Sequence, residues 1–435
     1  MKFKTPLSIA LLALFSATTS AQEDTWKGEL DIQGTKLPLV FHFSTDKCSM
    51  DSPSQGAKGI HAEKAMLPDS SLQVKVPAIG ATYIGKQKGM TIKGAFTQNG
   101  FSFPLTLTPG VAKVNRPQTP TPPYPYKEET VSFSNDGFTF GGTLTLPPHY
   151  NQNTPVVLMV TGSGLQNRDE EIFDHKPFAV IADALARQGI ASLRYDDRGY
   201  GVDGYKMDQY TTANFKSDAD AAMKLLRRRF NKVGILGHSE GGTIALMMAA
   251  EGQPDFVVSL AGLVVSGKEA LISQNRKGLA TMGLPAETLN NYCTVIQELF
   301  ESLAAGKKLD ELNLNNVPQE LKTVLLQSAK QCDTPYFRYL LNLDVRKDLC
   351  KIKCPVLALN GTKDWQVECD ANLQALETGL THCAHTTQAF DGLNHLFQHC
   401  TIGNVVEYQQ IEETIATEVL STIVSWVNAL QTKSE

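Results

Sequence analysis

The sequence predicts an α/β domain, with a mostly parallel, doubly wound sheet, preceded by a small all-β sandwich or barrel. Three observations predict it. Residues 24–108 are short β-rich runs broken by turn residues. Residues 116–125 then read RPQTPTPPYP, a proline-rich segment that is extended and stiff. From Glu128 onward, apolar strands alternate with amphipathic helices, the pattern of a parallel sheet covered on both faces.

The elements follow in order. Met1–Ala21 reads as a cleaved signal peptide: Lys2 and Lys4, an apolar run from Leu7 to Phe15, then Thr19-Ser20-Ala21. The apolar run is short for a bilayer span, and no Cys follows Ala21, so an exported protein, periplasmic or secreted, without a lipid anchor is expected. In the β domain, the strands predicted include Leu37–Phe43, Leu72–Val76, Ala81–Ile84, Thr91–Phe96 and Phe101–Leu107. Asn99-Gly100 lies between the last two, a strong hairpin signal. Residues 109–126 form the linker, and residues 128–430 the second domain.

That domain opens with an antiparallel pair, Val131–Phe133 and Phe138–Leu146. Strands follow at Val156–Val160, Ile190–Tyr195, Val233–Leu236, Phe256–Leu260, Val356–Leu359 and Thr386–Phe390, with helices between them. The last helix carries Ile415, Val419, Ile423, Trp426, Val427 and Leu430 on one face. A helical insertion, about 266–343, separates two strands of the sheet. Ligands bind at the C-terminal edge of such sheets, so the insertion is expected to be a cap.

Composition sets limits. The chain has 435 residues, 42% hydrophobic and 20% charged, with a net charge of −5 at pH 7. This lacks the basic footprint of a nucleic-acid or anionic-membrane binder. Export permits disulfides among the eight cysteines, but their pairing is not readable from sequence. Cys350 and Cys354 have no matching Cys/His pair, so no metal is expected.

The chemistry centres on Gly237-His238-Ser239-Glu240-Gly241-Gly242, between a buried strand and a helix. There a G-x-S-x-G sequence forms a tight elbow that lifts the serine hydroxyl above the sheet. Serine needs a base, and a base needs an orienting acid. Asp364, after the strand ending at Leu359, is the candidate acid; Glu368 and Asp370 are the rivals, read as charges at a helix start. His395, in the loop after Phe390, is the candidate base. His399 lies four residues on, but no H-E-x-x-H pattern accompanies the pair. His382 and His385 are expected at the other end of the strand. His238 is read as packing the elbow and bordering the substrate.

Two N–H donors must meet a developing oxyanion. Glu240 and Ser163 are the candidates, with Gly162 and Gly164 letting the backbone approach the substrate. Most of the charged run Arg168-Asp169-Glu170-Glu171, with Asp174 and His175 after it, is expected to be a solvated or internally paired loop near the site mouth. Asp196-Asp197-Arg198-Gly199-Tyr200-Gly201 is expected to be a turn fixed by internal salt bridges.

These motifs resemble those of exported bacterial serine esterases of the α/β-hydrolase superfamily, on the prolyl oligopeptidase and dienelactone hydrolase side, that carry an extra N-terminal β domain. The resemblance runs from about residue 128 to the end. It rests on Thr161-Gly162-Ser163-Gly164, Arg168-Asp169-Glu170, Arg194-Tyr195-Asp196-Asp197-Arg198-Gly199, the Ser239 elbow, Leu359-Asn360-Gly361-Thr362-Lys363-Asp364 and Gly392-Leu393-Asn394-His395. It implies hydrolysis of small or short-acyl carboxylic esters, acylated carbohydrates included, through an acyl-enzyme and without cofactor or metal. The stretch Met50–Ala57 is also familiar from such proteins, with no chemistry attached. The alternatives are a peptidase, amidase or thioesterase of the same fold, and a non-catalytic binding protein.

Overall fold

The computed structural model describes residues 24–432 except 33–34, 45–47, 54–56, 99, 111–114, 203, 281–285, 308–328 and 331. The expected signal peptide, Asn99 and residues 54–56 of the Met50–Ala57 stretch lie outside the described residues. Among those described, no helix is long and apolar enough to cross a membrane.

The first unit holds residues 24–117 and Asn404–Glu412. Its strands are β1 (Asp24–Ile32), β2 (Thr35–Phe43), β3 (Cys48–Ser52), β4 (Ala57–Met66), β5 (Leu72–Val76), β6 (Ala81–Lys88), β7 (Thr91–Gln98) and β8 (Phe101–Pro109). They pair antiparallel in sequence order, and β1 meets β8 through Trp26↔Pro109 and Lys27↔Thr108. The sandwich-or-barrel alternative therefore resolves as a closed eight-stranded barrel. A barrel of this strand number is just wide enough for its own side chains to fill. Leu39, Phe41, Val74, Tyr83, Phe96 and Leu107 do so here. The predicted hairpin is present, with Gln98 paired to Phe101. Gly100 takes φ +82°, a left-handed conformation that favours glycine.

The second unit holds Gln118–Gly403 and residues 413–432. It contains β9 (Lys127–Asn135), β10 (Phe138–Leu146), β11 (Val156–Val160), β12 (Ala191–Tyr195), β13 (Val233–His238), β14 (Val257–Leu260), β15 (Val356–Gly361) and β16 (His385–Phe390). The sheet order is β16-β15-β14-β13-β11-β12-β10-β9. Strands β11 to β16 are parallel, and β10 pairs antiparallel with both β9 and β12.

The parallel strands are apolar throughout because both faces are covered. On β11, Val156, Leu158 and Val160 enter one core, with residues of α2 (Thr212–Arg227) and α3 (Glu240–Ala250). Val157 and Met159 enter the other, with α1 (Pro177–Arg187) and the C-terminal helix. Between β14 and β15 lie α4 (Gly267–Ala280), α5 (Ala286–Ala304) and α6 (Pro335–Asn342). This insertion has its own small core around Tyr292, Ile296, Leu299, Phe300 and Leu303. Helices α7 (Cys369–Gly379) and α8 (Thr417–Thr432) complete the chain.

Candidate active site

Ser239 is the single residue between β13 and α3, at φ +53° and ψ −118°. A non-glycine residue at positive φ is uncommon and marks a backbone held by its surroundings. The cause is the tight approach of strand and helix. A Cβ on Gly237 would fall on the carbonyl group of Gly241, and one on Gly241 on the carbonyl of Val160. The Ser239 N–H is fixed on the Leu260 carbonyl at 2.8 Å. The hydroxyl-bearing residue thus stands at the C-terminal edge of the sheet, where α3 begins with its positive dipole end.

Asp364 lies on the loop after β15, and His395 on the loop after β16. Their side chains meet with His395 Nδ1 2.7 Å from Asp364 Oδ2, both almost fully buried. The other Asp364 oxygen accepts from the Gln366 and Val367 N–H groups at 2.7 and 2.9 Å. A carboxylate only accepts, so Nδ1 carries the proton and Nε2 is left as the acceptor. The His395 loop is pinned by Asn394, whose Oδ1 accepts from the N–H groups of Leu396 and Gln398. The Gln398 amide in turn reaches buried His175 at 3.0 Å and donates to the Glu413 carbonyl at 2.9 Å.

The rival residues sit elsewhere. Glu368 caps α7 by accepting from the Ala371 N–H, and Asp370 occupies its first turn. His399 is bonded to Glu413 and Glu418. His385 opens β16, with His382 just before it on the Ile352 carbonyl.

The Thr161–Leu165 loop presses on the elbow: a Cβ on Gly162 would lie 3.2 Å from the Ser239 Cβ. Its residues are not equivalent. The Gly162 N–H donates to Glu170 Oε1 at 2.6 Å. The Ser163 hydroxyl lies 3.0 Å from the Tyr336 hydroxyl. Gly164, at φ +107°, lines with Gly162, Asp197 and Glu240 a small cavity of about 20 Å³. Glu240 is buried, and its carboxylate accepts from Thr212 Oγ1 at 2.6 Å and Tyr336 OH at 2.8 Å. Burial lifts its pKa above the usual carboxyl range, against the lowering effect of Thr212, Tyr336 and Ser163. Tyr336 belongs to α6, so the insertion reaches both candidate oxyanion residues. Gln274 and Lys277 of α4 also donate to the Gln366 and Asp364 carbonyls. The insertion is a cap.

Both charged segments are held by ion pairs within the protein. Arg168 pairs with Asp196, and Arg194 with Asp169 and Glu128. Arg198 holds Asp218 at 2.7 Å. Asp197 accepts from Thr161 Oγ1 at 2.8 Å and the Gln166 N–H at 2.7 Å, and burial holds its pKa well above normal. The Asp196-Asp197-Arg198 turn is therefore fixed by internal salt bridges, as expected, with Arg168 and Asp218 as the partners. Glu170 is not solvated: it is 3% exposed and pairs with His238. Glu170 and Tyr336 were missed as site residues because a charge in a charged run and a tyrosine in a helical cap carry no local signal. Glu170 stood out only as part of the Arg168-Asp169-Glu170 motif.

A doubly wound sheet with a serine elbow, an acid after β15 and a histidine after β16 defines the α/β-hydrolase class. Within it, the model of the Hydrolase_4 family, serine aminopeptidase S33, matches residues 175–399, which include Ser239, Asp364 and His395, and the chain belongs to that family. The chain is 31% identical over 264 residues to "Esterase EstD" of Thermotoga maritima, covering 59% of this chain and 57% of that one. It thus spans less than two thirds of that relative. Among solved structures, Est1E from Butyrivibrio proteoclasticus is 15% identical at a TM-score of 0.41, covering 70% of this chain and 99% of its own. A proline iminopeptidase from Mycobacterium smegmatis is 15% identical at a TM-score of 0.45, covering 71% and 100%.

Proposed function

We propose that this protein is an exported serine carboxylesterase that hydrolyses small or short-acyl esters through an acyl-enzyme on Ser239. The observation that carries the reading is the buried 2.7 Å contact between Asp364 and His395, on loops at the same sheet edge as the strained Ser239 elbow. Kinship with an esterase at 31% identity supports the ester preference.

In this reading His395 Nε2 takes the Ser239 proton as Oγ attacks the ester carbonyl. The Glu240 and Ser163 N–H groups bind the oxyanion. His395 then passes the proton to the leaving alcohol, and the acyl group stays on Ser239. Water, deprotonated by the same imidazole, releases the acid and restores the serine. Asp364 fixes the imidazole tautomer and stabilises its transient charge. The family's description as serine aminopeptidase favours a second reading, in which the same groups cleave an amide.

The test is hydrolysis of p-nitrophenyl esters from acetate to octanoate beside peptide p-nitroanilides, for wild type and Ser239→Ala. The expected result is ester turnover that declines with chain length and falls at least about 10³-fold in the variant. Preferential anilide cleavage would move the assignment to a peptidase. Wild-type turnover retained in Ser239→Ala would remove Ser239 as nucleophile.

A further inference from the structure

We propose that Glu170 and His238 form a second acid–imidazole pair, which positions the oxyanion loop, the serine elbow and the His395 loop against one another. This rests on the reading of Ser239 as nucleophile.

Three contacts converge on it. Glu170 Oε1 accepts from the Gly162 N–H at 2.6 Å, holding the oxyanion loop. The same oxygen lies 3.0 Å from His238 Nδ1, on the residue preceding the nucleophile. His238 Nε2 lies 2.9 Å from the carbonyl of His395. One carboxylate and one imidazole therefore link all three segments of the site. The rings of His238 and His395 are 4.7 Å apart.

The geometry also favours a charged His238. Both ring nitrogens face acceptors, a carboxylate and a carbonyl. A neutral imidazole has one N–H and would leave one acceptor facing a lone pair; the imidazolium donates to both. The charged groups facing the ring are Glu170, from the loop after β11, and Asp364, from the loop after β15, with the His395 imidazole alongside. Burial opposes the charge, but the Glu170 carboxylate, the His395 carbonyl and Asp364 together raise the His238 pKa above its usual value.

The pair is not built for stability. Glu170 Oε2 is buried without a hydrogen-bond partner among the described residues. A buried oxygen left this way is destabilising. Glu170 also sits at φ +51°, outside the comfortable range of a side-chain-bearing residue. A costly, strained carboxylate that grips the loop beside the nucleophile is the pattern of a positioning group.

The sign of the pH dependence follows. As pH rises through the raised His238 pKa, one donor is lost and the tie to Glu170 or to the His395 carbonyl loosens. Activity therefore declines on the alkaline side. In Glu170→Gln the amide oxygen can still take the Gly162 N–H, but the charge that holds the imidazolium is gone, so the decline moves to lower pH. In His238→Gln nothing titrates there, and the alkaline decline disappears at a lower overall rate.

The experiment is the kcat and KM pH profile of wild type, Glu170→Gln, His238→Gln and Ser239→Ala on p-nitrophenyl acetate, with thermal melting of each. The expected loss in kcat for the two positioning variants is about tenfold to a hundredfold, the scale of a misplaced reacting group, with KM within about twofold. Wild-type kcat and profile in both variants would overturn the proposal, as would a lower kcat with an unmoved alkaline limb. A wild type with no alkaline decline would overturn it whether or not the variants fold. Ser239→Ala separates the two readings: if it is active, the nucleophile is wrong; if it is dead while Glu170→Gln behaves as wild type, only this inference falls.

Discussion

The barrel interior and the C-terminal edge of the α/β sheet bury their side chains on opposite terms. The barrel core is apolar, and the Tyr83 hydroxyl within it is spent on the Ile92 and Leu105 carbonyls at 2.9 and 3.3 Å. The sheet edge buries His238, Glu240, Asp364, His395 and Glu170. Burying ionisable groups is unfavourable unless each is bonded or paired. A chain able to make the apolar core of the barrel did not need these groups for stability, so their burial marks where the fold was shaped around a reaction.

The sharpest way to break this comparison is Asp364→Asn. The asparagine can keep the 2.7 and 2.9 Å bonds to Gln366 and Val367, so melting should shift little. It would, however, favour the wrong His395 tautomer. The expected loss in kcat is on the order of 10⁴, the scale seen when an orienting carboxylate is replaced in a serine triad. A loss of less than tenfold would mean that the buried pair is structural. The counterpart in the barrel is Phe41→Ala. Phe41 is fully buried against Tyr83, with ring centroids 5.8 Å apart. The expected cost is about 3–5 kcal/mol in a denaturant titration, with the rate of fluorophosphonate labelling retained. An unshifted titration would mean that the barrel core is not the source of its stability.

Legibility followed the same divide. The hydrolase strands were readable because double burial makes them continuous apolar runs, as at Val156–Val160. The elbow and the loops of Asp364 and His395 were readable because their geometry requires glycine, turn residues and a fixed chain order. Strand β4 was not. Its sequence, AKGIHAEKAM, is rich in residues that favour helix, and it is a strand because β3 and β5 pair with it on either side. Barrel and sandwich could not be told apart from sequence, because what separates them is the pairing of the first strand, β1, with the last, β8. Glu170 was hidden for another reason. Whether a charged residue is solvated or buried depends on what packs over it, and its partners His238 and Gly162 are 68 and 8 residues away.

The smallest expected effect tests whether the cap belongs with the reactive edge or only covers it. The Tyr336 hydroxyl lies 2.8 Å from Glu240 Oε2 and 3.0 Å from Ser163 Oγ, the side chains of the two candidate oxyanion donors. Burial, and then the nearby Glu240 carboxylate, raise the phenol pKa well above normal, so the phenol keeps its proton and its role as donor. Tyr336→Phe removes that donor and leaves the ring in place. If the loosened Glu240 and Ser163 cost the oxyanion about 1 kcal/mol, kcat falls roughly fivefold. KM for a short ester should stay level, because the lost support acts on charge that develops only in the transition state. A raised KM with unchanged kcat would instead make Tyr336 part of the substrate pocket. Unchanged kinetics with a lowered melting temperature would leave the phenol as a latch that holds the cap and nothing more.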